Sequence, residues 1–409
     1  MITTFFGPHS FGGDAAYVDR LSRALLCAGH EVEVIYNIDA FEAVRGNHPL
    51  RSYEPPPGLR IHGLRDPLGR FGLLWTHQTG RMTTLRRKLE ERLTEGRFDV
   101  IHFHNISLIG GVEVLSVGDP AGKAIRLMTA HDHWLLCPLS LLWKQDTKVC
   151  DRPTCISCTL AAGRPPQAWR YTGLRNRMLA HLDALIVPSC HTQEIHRARG
   201  VERATVRLPY FLPDQMGPAQ GDVPPWRPSS ARPYFAAAGR FVKEKGFSQV
   251  IAQMRHLPEA DLILAGTGLY EPTLRAEAAD LPNVQFAGLL AYPDLFRLYK
   301  GARALIVPSM FYETFGYVVL EAFSAGTPAI VHDQGALPEL IRQSGAGDVY
   351  KTEDELLATM KRYLGDATLA RALGEKGKSA HQIHWSETEH MERYLELIEG
   401  ARRTRLSMR

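Results

Sequence analysis

Two glutamates eight residues apart enclose a glycine-containing turn in the stretch Glu313-Thr314-Phe315-Gly316-Tyr317-Val318-Val319-Leu320-Glu321. Apolar runs at 304–307 and 329–331 flank it, an order typical of strand, turn, helix and strand. A helix beginning at Thr314-Phe315-Gly316 would point free backbone N–H groups and its positive dipole end at an anion. Phosphate near those amides, with sugar hydroxyls near Glu313 and Glu321, fits this layout. The alternative is that Glu313 caps the helix and Glu321 faces solvent.

Short apolar runs alternate with helical patterns along most of the chain, which predicts an α/β fold with parallel sheets covered by helices on both faces. The runs form two series, and 409 residues suit two doubly wound domains. The proline-rich stretch 213–233 is predicted to connect them, and 79–95 to be helical. Ligands of such sheets bind beyond the carboxyl ends of the strands, so we expect a ligand between the domains. The predicted strands are 2–6, 31–36, 100–104, 125–130, 184–188, 234–238, 262–265, 284–287, 304–307 and 329–331.

The composition is that of a globular protein, with 44% apolar and 22% charged residues. A formal charge of +4, without an arginine-rich tail, argues against nucleic acid as a partner. The first residues lack the basic leader and apolar core of a signal peptide, and no apolar run approaches the roughly 20 residues of a membrane span. We therefore expect a cytoplasmic protein whose six cysteines are reduced or metal-bound.

Glycines and cations follow several of the predicted strands. Gly12-Gly13 would let backbone approach a ligand closely, but it matches neither the dinucleotide nor the Walker pattern, which argues against nicotinamide and ATP. Arg240 and Lys245 could clamp a diphosphate without a metal. Gly266-Thr267-Gly268 is expected at the same sheet edge. Tight turns and a solvated basic loop are the plain alternatives.

His131 ends a predicted strand in the stretch Thr129-Ala130-His131-Asp132. It could donate a hydrogen bond to a substrate oxygen, with Asp132 setting its tautomer or binding a hydroxyl. A histidine that only supports the structure is the alternative.

Taken in order, these motifs span nearly the whole chain, and with them the chain resembles the GT4 family of retaining glycosyltransferases. The resemblance implies the GT-B fold, with two Rossmann-like doubly wound domains facing across a cleft. It places an N-terminal acceptor-side domain at 1–207 with a Cys-rich loop at 137–158, a nucleotide-sugar-binding domain at 208–384, and a C-terminal helix at 385–409 that crosses back to the first domain. Relatives often have an Asn-Gly turn where this chain has Leu208-Pro209-Tyr210-Phe211, so the hinge and the acceptor side stay open.

By position, the resemblance makes a nucleotide-diphosphate sugar of the UDP or GDP type the donor. Arg240 and Lys245 would bind the diphosphate and stabilise its developing charge in place of a catalytic metal. Glu313 would hold hydroxyls of the donor sugar, His131 would contact the sugar, and Glu321 would bind the ribose. The donor phosphate would take the acceptor's proton, in agreement with the absence of a glycosidase-like pair of carboxylates. The other implied donor-binding residues are Gly12, Gly13, Gly266, Gly268, Thr314, Phe315 and Gly316.

Several points stay open. The acceptor is a carbohydrate, a lipid-linked molecule or a small molecule, as in polysaccharide, glycolipid or secondary-metabolite biosynthesis, and the base, the sugar and the oligomeric state are not identified. A nucleotide-sugar epimerase is an alternative, although the motifs lack the acid–base system that it needs. A non-catalytic nucleotide-sugar-binding protein is another, although the charged set is intact.

Four cysteines lie within 22 residues in the pattern C-x12-C-x4-C-x2-C. The last two have the spacing of a metal knuckle, and four thiolates would complete a tetrahedral zinc site that folds a loop without a core of its own. We predict structural zinc, with an iron–sulfur cluster or unliganded thiols as the alternatives. The candidate ligands are Cys137, Cys150, Cys155 and Cys158.

The stretch 65–88 holds six Arg and Lys residues against one acid, Asp66, with Phe71, Leu73, Leu74 and Trp75 among them. This pattern is typical of a solvated helix face with a packed tryptophan. It is also typical of a surface that contacts the inner face of a membrane or a lipid-linked acceptor.

Overall fold

A computed structural model of the protein describes residues 1–46, 50, 52–118, 122–213 and 232–407. The predicted connection at 213–233 therefore lies almost entirely outside the described residues. Tertiary contacts divide the chain into two compact units. The first unit comprises Met1–Leu141, Arg152–Pro209 and His390–Arg409, and the second comprises Leu142–Asp151 and Tyr210–Glu389.

The secondary structure alternates between strands and helices, as the apolar pattern predicts. In chain order the strands are β1 (Glu33–Asn37), β2 (Arg60–Leu64), β3 (Val100–Phe103), β4 (Ile125–Thr129), β5 (Trp143–Lys144), β6 (Lys148–Val149), β7 (Ala184–Val187), β8 (Thr205–Arg207), β9 (Tyr234–Ala238), β10 (Asp261–Ala265), β11 (Val284–Gly288), β12 (Leu305–Val307), β13 (Ala329–His332) and β14 (Gly347–Tyr350).

The α-helices cover the sheets and are joined by short 3₁₀ helices. They are α1 (Gly13–Cys27), α2 (Ile38–Val44), α3 (Gly69–Thr79), α4 (Leu85–Gly96), α5 (Cys155–Ala161), α6 (Leu174–Leu179), α7 (Cys190–Ala198), α8 (Phe247–Gln253), α9 (Glu271–Glu277), α10 (Tyr292–Gly301), α11 (Tyr317–Ser324), α12 (Leu337–Ser344), α13 (Glu353–Gly365), α14 (Ala367–His384) and α15 (Glu387–Ser407), with 3₁₀ turns at Gly111–Ser116, Ala168–Tyr171, Lys243–Lys245 and Met254–His256.

The first unit is built on a parallel sheet. β1 pairs with β2, and β3, β4, β7 and β8 pair in that order. Ile2 joins the two groups, because it forms parallel bridges to both Ile35 and Phe103. The predicted strand at 2–6 is otherwise not a regular strand: Phe6 turns back to pair with His9. β1 and β7 are buried along their whole length, as expected for strands covered on both faces.

The predicted helix at 79–95 corresponds to α4 and starts too early, because Thr79 is the last residue of α3. Gly80 takes a left-handed conformation with φ 66° and ends α3, and α4 begins at Leu85. The carboxylate of Asp66 accepts hydrogen bonds from Thr83 and Thr84 and so fixes the connection. A left-handed glycine is a common helix stop, and the apolar periodicity continued across it.

The second unit contains a six-stranded parallel sheet in the order β11-β10-β9-β12-β13-β14. Its core comprises apolar side chains from both faces of this sheet, including Phe235, Leu262 and Ile306, each at most 1% exposed. The carboxyl ends of β9, β10, β12 and β13 share one edge, because all the strands are parallel. The predicted α/β fold with two Rossmann-like parallel sheets is confirmed, and the strand-end motifs of each series share an edge within their own unit.

Candidate functional site

An ion pair lies at the sheet edge of the second unit. The Lys245 ammonium is 2.6 Å from Oε1 of Glu313, and the same oxygen accepts a hydrogen bond of 2.7 Å from the Ser309 hydroxyl. Both charged side chains are mostly buried, with 22% and 14% of their surfaces exposed. The Lys245 ammonium also lies 5.2 Å from the centroid of the Phe311 ring. The contacts fix the Glu313 carboxylate and keep a cation beside it.

The pair forms because two loops approach each other at van der Waals distance. Gly246 follows Lys245 with φ 72°, and a Cβ there would lie 2.1 Å from the carbonyl oxygen of Pro308. The Met310 N–H donates to the carbonyl of Glu244 at 2.8 Å and ties the loops together. Only glycine fits this position, so the Lys-Gly sequence holds the lysine against the loop that carries Glu313.

Glu321 lies one turn inside α11, which begins at Tyr317 with Gly316 as its N-cap. The helix therefore starts slightly later than the predicted opening at 314–316. Glu321 is 8% exposed, and its Oε2 accepts a hydrogen bond of 3.4 Å from the hydroxyl of Tyr299. Burial, with a smaller contribution from the Glu321 charge, holds the pKa of Tyr299 well above its usual value, so Tyr299 is a stable donor.

Aromatic packing fixes the turn before α11. Phe315 is buried, and its ring centroid lies 5.1 Å from that of Tyr210, which also stacks on Tyr317 at 4.9 Å. Thr314 and Gly316 are half-buried beside it. The Phe315 side chain thus anchors the turn, and contributions of 314–316 to a ligand would come from the backbone.

The turns after β9 and β10 pack backbone against backbone. A Cβ on Gly266 would lie 1.9 Å from the carbonyl oxygen of Gly239, and one on Gly268 would lie 2.3 Å from that of Phe241. These glycines are thus explained by the contact of the two turns, without reference to a ligand. Arg240, between them, is exposed, and no described carboxylate forms an ion pair with it. Its guanidinium is available for an anion.

A second cluster lies at the carboxyl ends of β3 and β4 in the first unit. His104 Nδ1 and His131 Nε2 are 3.0 Å apart. Asn105 donates to Oδ2 of Asp14 at 3.0 Å, close to Gly12 and Gly13 at the start of α1. A small cavity of about 10 Å³ at this edge is lined by 104–106, 128–132, 134 and 135. His104 and Asn105 were not identified from the sequence, although His102-Phe103-His104-Asn105 ends a predicted strand just as 129–132 does.

His131 and Asp132 do not interact in the predicted way. The carboxylate of Asp132 accepts from the Trp134 N–H at 2.8 Å, whereas His131 bonds to His104. Burial lowers the pKa of His131 to about 3, so its ring is neutral near pH 7. Burial, with a contribution from the charge of Asp14, raises the pKa of Asp132 to about 6. The expectation that Asp132 sets the His131 tautomer is not supported by these contacts.

The predicted zinc site is not supported. Across the described ranges, no group of three or more His, Cys, Asp or Glu side chains is placed to hold a metal ion. Cys150 groups with the second unit, whereas Cys137, Cys155 and Cys158 group with the first. The prediction assumed a loop without a core, but the loop forms the antiparallel pair β5–β6 and helix α5, and its Leu142 and Trp143 are buried. Trp134 and Trp169, which lie outside the loop, pack 5.2 Å apart inside the core of the first unit. The guanidinium of Arg170 lies over both rings and donates to the Trp134 carbonyl.

The basic stretch contains fewer unpaired cations than its composition indicates. Arg65 pairs with Asp39 and Glu42, and Arg86 and Arg87 pair with acids on α4. Arg70 and Arg81 are exposed and have no ion pair among the described residues. On α3, three apolar side chains face solvent, so the predicted packed tryptophan is not observed. They are Phe71 at 64%, Leu74 at 45% and Trp75 at 44% exposure. No helix in the described ranges is long and apolar enough to cross a membrane.

Comparison with known proteins identifies both units. The family model "Glycosyltransferase Family 4" matches residues 11–210, and "Glycosyl transferases group 1" matches residues 223–380. A GDP-mannose-dependent monoacylated alpha-(1-6)-phosphatidylinositol monomannoside mannosyltransferase from Corynebacterium glutamicum is 31% identical over 38% of this chain and 44% of its own length. The chain thus aligns with less than half of that relative.

Solved structures agree in fold. Sucrose-phosphate synthase from Thermosynechococcus elongatus superposes with a TM-score of 0.72 at 20% identity, covering 98% of this chain and 100% of that chain. The Anabaena protein HepE in complex with UDP-glucose superposes with a TM-score of 0.67 at 16% identity, covering 98% and 100%. The two family matches together span most of the sequence, and the chain belongs to the GT4 family of glycosyltransferases with the GT-B fold.

Proposed function

We propose that the protein transfers a sugar from a nucleotide-diphosphate sugar to an acceptor with retention of anomeric configuration. The observation that carries the proposal is the Lys245–Glu313 ion pair, 2.6 Å long and mostly buried, beside the N-terminus of α11. A cation and a carboxylate held in contact suit a ligand with a diphosphate next to a polyol. The helix N-terminus adds a second source of positive potential for the phosphate.

Each charged residue then has a distinct role. Lys245, together with the exposed Arg240, would bind the diphosphate and stabilise the negative charge that develops as the glycosidic bond breaks. Glu313, oriented by Ser309, would accept hydrogen bonds from hydroxyls of the donor sugar. Glu321 would accept from the ribose hydroxyls, and Tyr299 would orient it from the other side. In the first unit, Gly12 and Gly13 would lie against the phosphates and His131 would contact the sugar.

The donor is proposed to be of the UDP or GDP type. The relative from Corynebacterium glutamicum is named for GDP-mannose, and the HepE structure contains UDP-glucose. Release of nucleoside diphosphate from a panel of UDP-, GDP-, ADP- and dTDP-sugars, with and without lipid and small-molecule extracts, tests the proposal. We expect acceptor-dependent release from one donor. A changed sugar without consumed acceptor would instead indicate an epimerase, and donor binding without turnover would indicate a binding protein.

We also propose that the solvent-facing side of α3 docks on an anionic bilayer, from which a lipid-linked acceptor would be drawn. Phe71, Leu74 and Trp75 lie one turn or less apart on this helix and would enter the interface. The flanking Arg70 and Arg81 would meet the anionic head groups, each with a free energy of about 1 kcal/mol. The relative that acts on a phosphatidylinositol mannoside agrees with such an acceptor. Location at the inner membrane surface stays a prediction.

Co-sedimentation with phosphatidylcholine vesicles, with and without phosphatidylglycerol, tests the docking. We expect binding only to the anionic vesicles, with loss in a Phe71→Ser, Trp75→Ser double variant and in an Arg70→Glu, Arg81→Glu double variant. Arg87→Glu is the matched control, because Arg87 lies on α4 and pairs with Glu91. Equal sedimentation of all variants would exclude this surface.

A further inference from the structure

The ring of His104 is held between two other histidines in the first unit. His104 follows β3 and His131 follows β4, and the two strands are parallel neighbours with Phe103 opposite Met128. This register brings His104 Nδ1 to 3.0 Å from His131 Nε2. On the other side, the ring centroid of His102 is 4.0 Å from that of His104.

The orientation of His102 is itself fixed. Its two nitrogens bond to the hydroxyls of Tyr394 and Thr129 at 3.0 and 2.9 Å. Because hydroxyls both donate and accept, both ring nitrogens of His102 form hydrogen bonds in either tautomer. The fixed His102 ring therefore packs against His104 and limits its rotation. His104 therefore cannot turn away from His131 without losing this packing.

The bond between His104 and His131 contains one proton. Burial lowers the pKa of both rings below the neutral range, so each ring carries a single N–H. Either His104 donates through Nδ1, or His131 donates through Nε2. The two arrangements leave different groups on the far side of each ring.

The far nitrogen of His104 discriminates between them. Nε2 of His104 is buried and has no hydrogen-bond partner among the residues that the structure describes. If His131 were the donor, the proton of His104 would lie on this nitrogen as an orphan buried N–H. If His104 is the donor, the same nitrogen is unprotonated and carries only a lone pair. Among backbone groups, orphan buried N–H groups are rarer than under-satisfied carbonyls. We apply the same preference to the imidazole of His104, which favours the second arrangement.

We propose that His104 is a positioning residue that donates its Nδ1–H to His131 and thereby places the proton of His131 on Nδ1. His131 then acts as a hydrogen-bond donor on its other side, so the substrate atom it meets is an oxygen acting as acceptor. The role in turnover rests on the proposed glycosyltransferase function, whereas the tautomer is a property of the protein alone.

Nitrogen-15 NMR of the full chain, labelled at histidine, reads the tautomers directly, and the His131 signals are identified by their loss in His131→Asn. We expect wild-type His131 to be protonated at Nδ1 and His104 likewise. In His104→Phe, His131 should become a mixture of tautomers, whereas His30→Phe, at an exposed position, should leave it unchanged. A wild-type His131 protonated at Nε2 would overturn the proposal, whatever the enzyme's activity.

Kinetics provide a second readout. His104→Phe should lower kcat/KM about tenfold, the loss of one buried hydrogen bond to a reacting group. In a His131→Ala background the same change should have little further effect, because the two residues act as one unit. Additive losses would contradict the positioning role. His104→Asn, which keeps an N–H near the position of Nδ1, should recover part of the activity.

Discussion

Lys245 and Glu313 are 68 residues apart in sequence, yet the ammonium of one lies 2.6 Å from the carboxylate of the other. The contact is made by the close approach of two loops at the edge of the parallel sheet, with Gly246 at the crossing point. It places opposite charges where a ligand with a phosphate and several hydroxyls would meet both.

Lys245→Ala should lower kcat by about 100-fold or more, because a preorganised cation near developing charge contributes mainly to turnover. Lys243→Ala is the matched control, since Lys243 lies in the same 3₁₀ turn but is largely exposed and 4.0 Å from Asp146. Steady-state assays with the identified donor measure both. Equal rates for the two variants would remove Lys245 from the reaction centre.

Glu321→Ala should weaken binding of the nucleoside diphosphate by more than about tenfold, since hydrogen bonds to a charged group each contribute roughly 1.5–3 kcal/mol. Tyr299→Phe removes only the hydroxyl that bonds to Glu321 at 3.4 Å, and its effect should be smaller. Isothermal titration calorimetry of both variants is the measurement. Unchanged affinity in Glu321→Ala would show that this carboxylate does not bind the ribose.

Gly246→Ala should destabilise the second unit and lower activity together. The new Cβ would lie 2.1 Å from the Pro308 carbonyl, in addition to the roughly 1–2 kcal/mol cost of a left-handed alanine. Gly345→Ala, with φ 60° and open space around the Cβ, isolates the conformational cost. Urea unfolding should therefore show a larger loss at Gly246. Equal losses at the two positions would mean that the loops are free to separate.

Stability should increase with pH between about 4 and 6.5. Burial lowers the pKa of His102, His104, His131 and His390, so the unfolded state binds protons in this range that the folded state excludes. Each excluded proton adds about 1.4 kcal/mol per pH unit to the slope. Asp132 acts in the opposite direction, because its raised pKa makes the folded state take up a proton below about 6.

Urea unfolding at several pH values measures this slope. His390→Gln should reduce it by up to one proton, and Asp132→Asn should make it steeper between pH 4 and 6. Replacement of the exposed His30 by Gln should leave it unchanged. A slope that is flat or falls with pH would contradict the buried, neutral state of these histidines.

Much of the fold could be predicted from sequence because parallel strands buried on both faces appear as short apolar runs. Periodicity failed at a helix boundary: the predicted helix at 79–95 starts too early, because Gly80 ends α3 and α4 begins only at Leu85. The number of unpaired cations in the 65–88 stretch was overestimated, because Arg65 pairs with Asp39 and Glu42, which lie more than twenty positions upstream. Such partners are set by tertiary structure and leave no local signal.

In the candidate sites, too, local motifs were visible in the sequence and contacts set by tertiary structure were not. The proximity of Lys245 and Glu313 could be anticipated because strand-end motifs of a parallel sheet share an edge, whereas the binding roles of Glu313, Glu321 and Lys245 stay predictions. His104 was missed, although it follows its strand as His131 does, because its contact with His131 depends on the neighbouring strand. The metal prediction relied on cysteine spacing alone and overlooked the regular structure of the loop, in which Leu142 and Trp143 are buried.

The most direct test of the central claim is the anomeric configuration of the product formed from the one donor that the protein cleaves, followed by NMR during turnover. The account predicts acceptor-dependent release of nucleoside diphosphate and a product with the configuration of the donor, formed at least about 100-fold more slowly by Lys245→Ala and at the wild-type rate by Lys243→Ala. An inverted product, or no transfer from any donor by the folded protein, would contradict it.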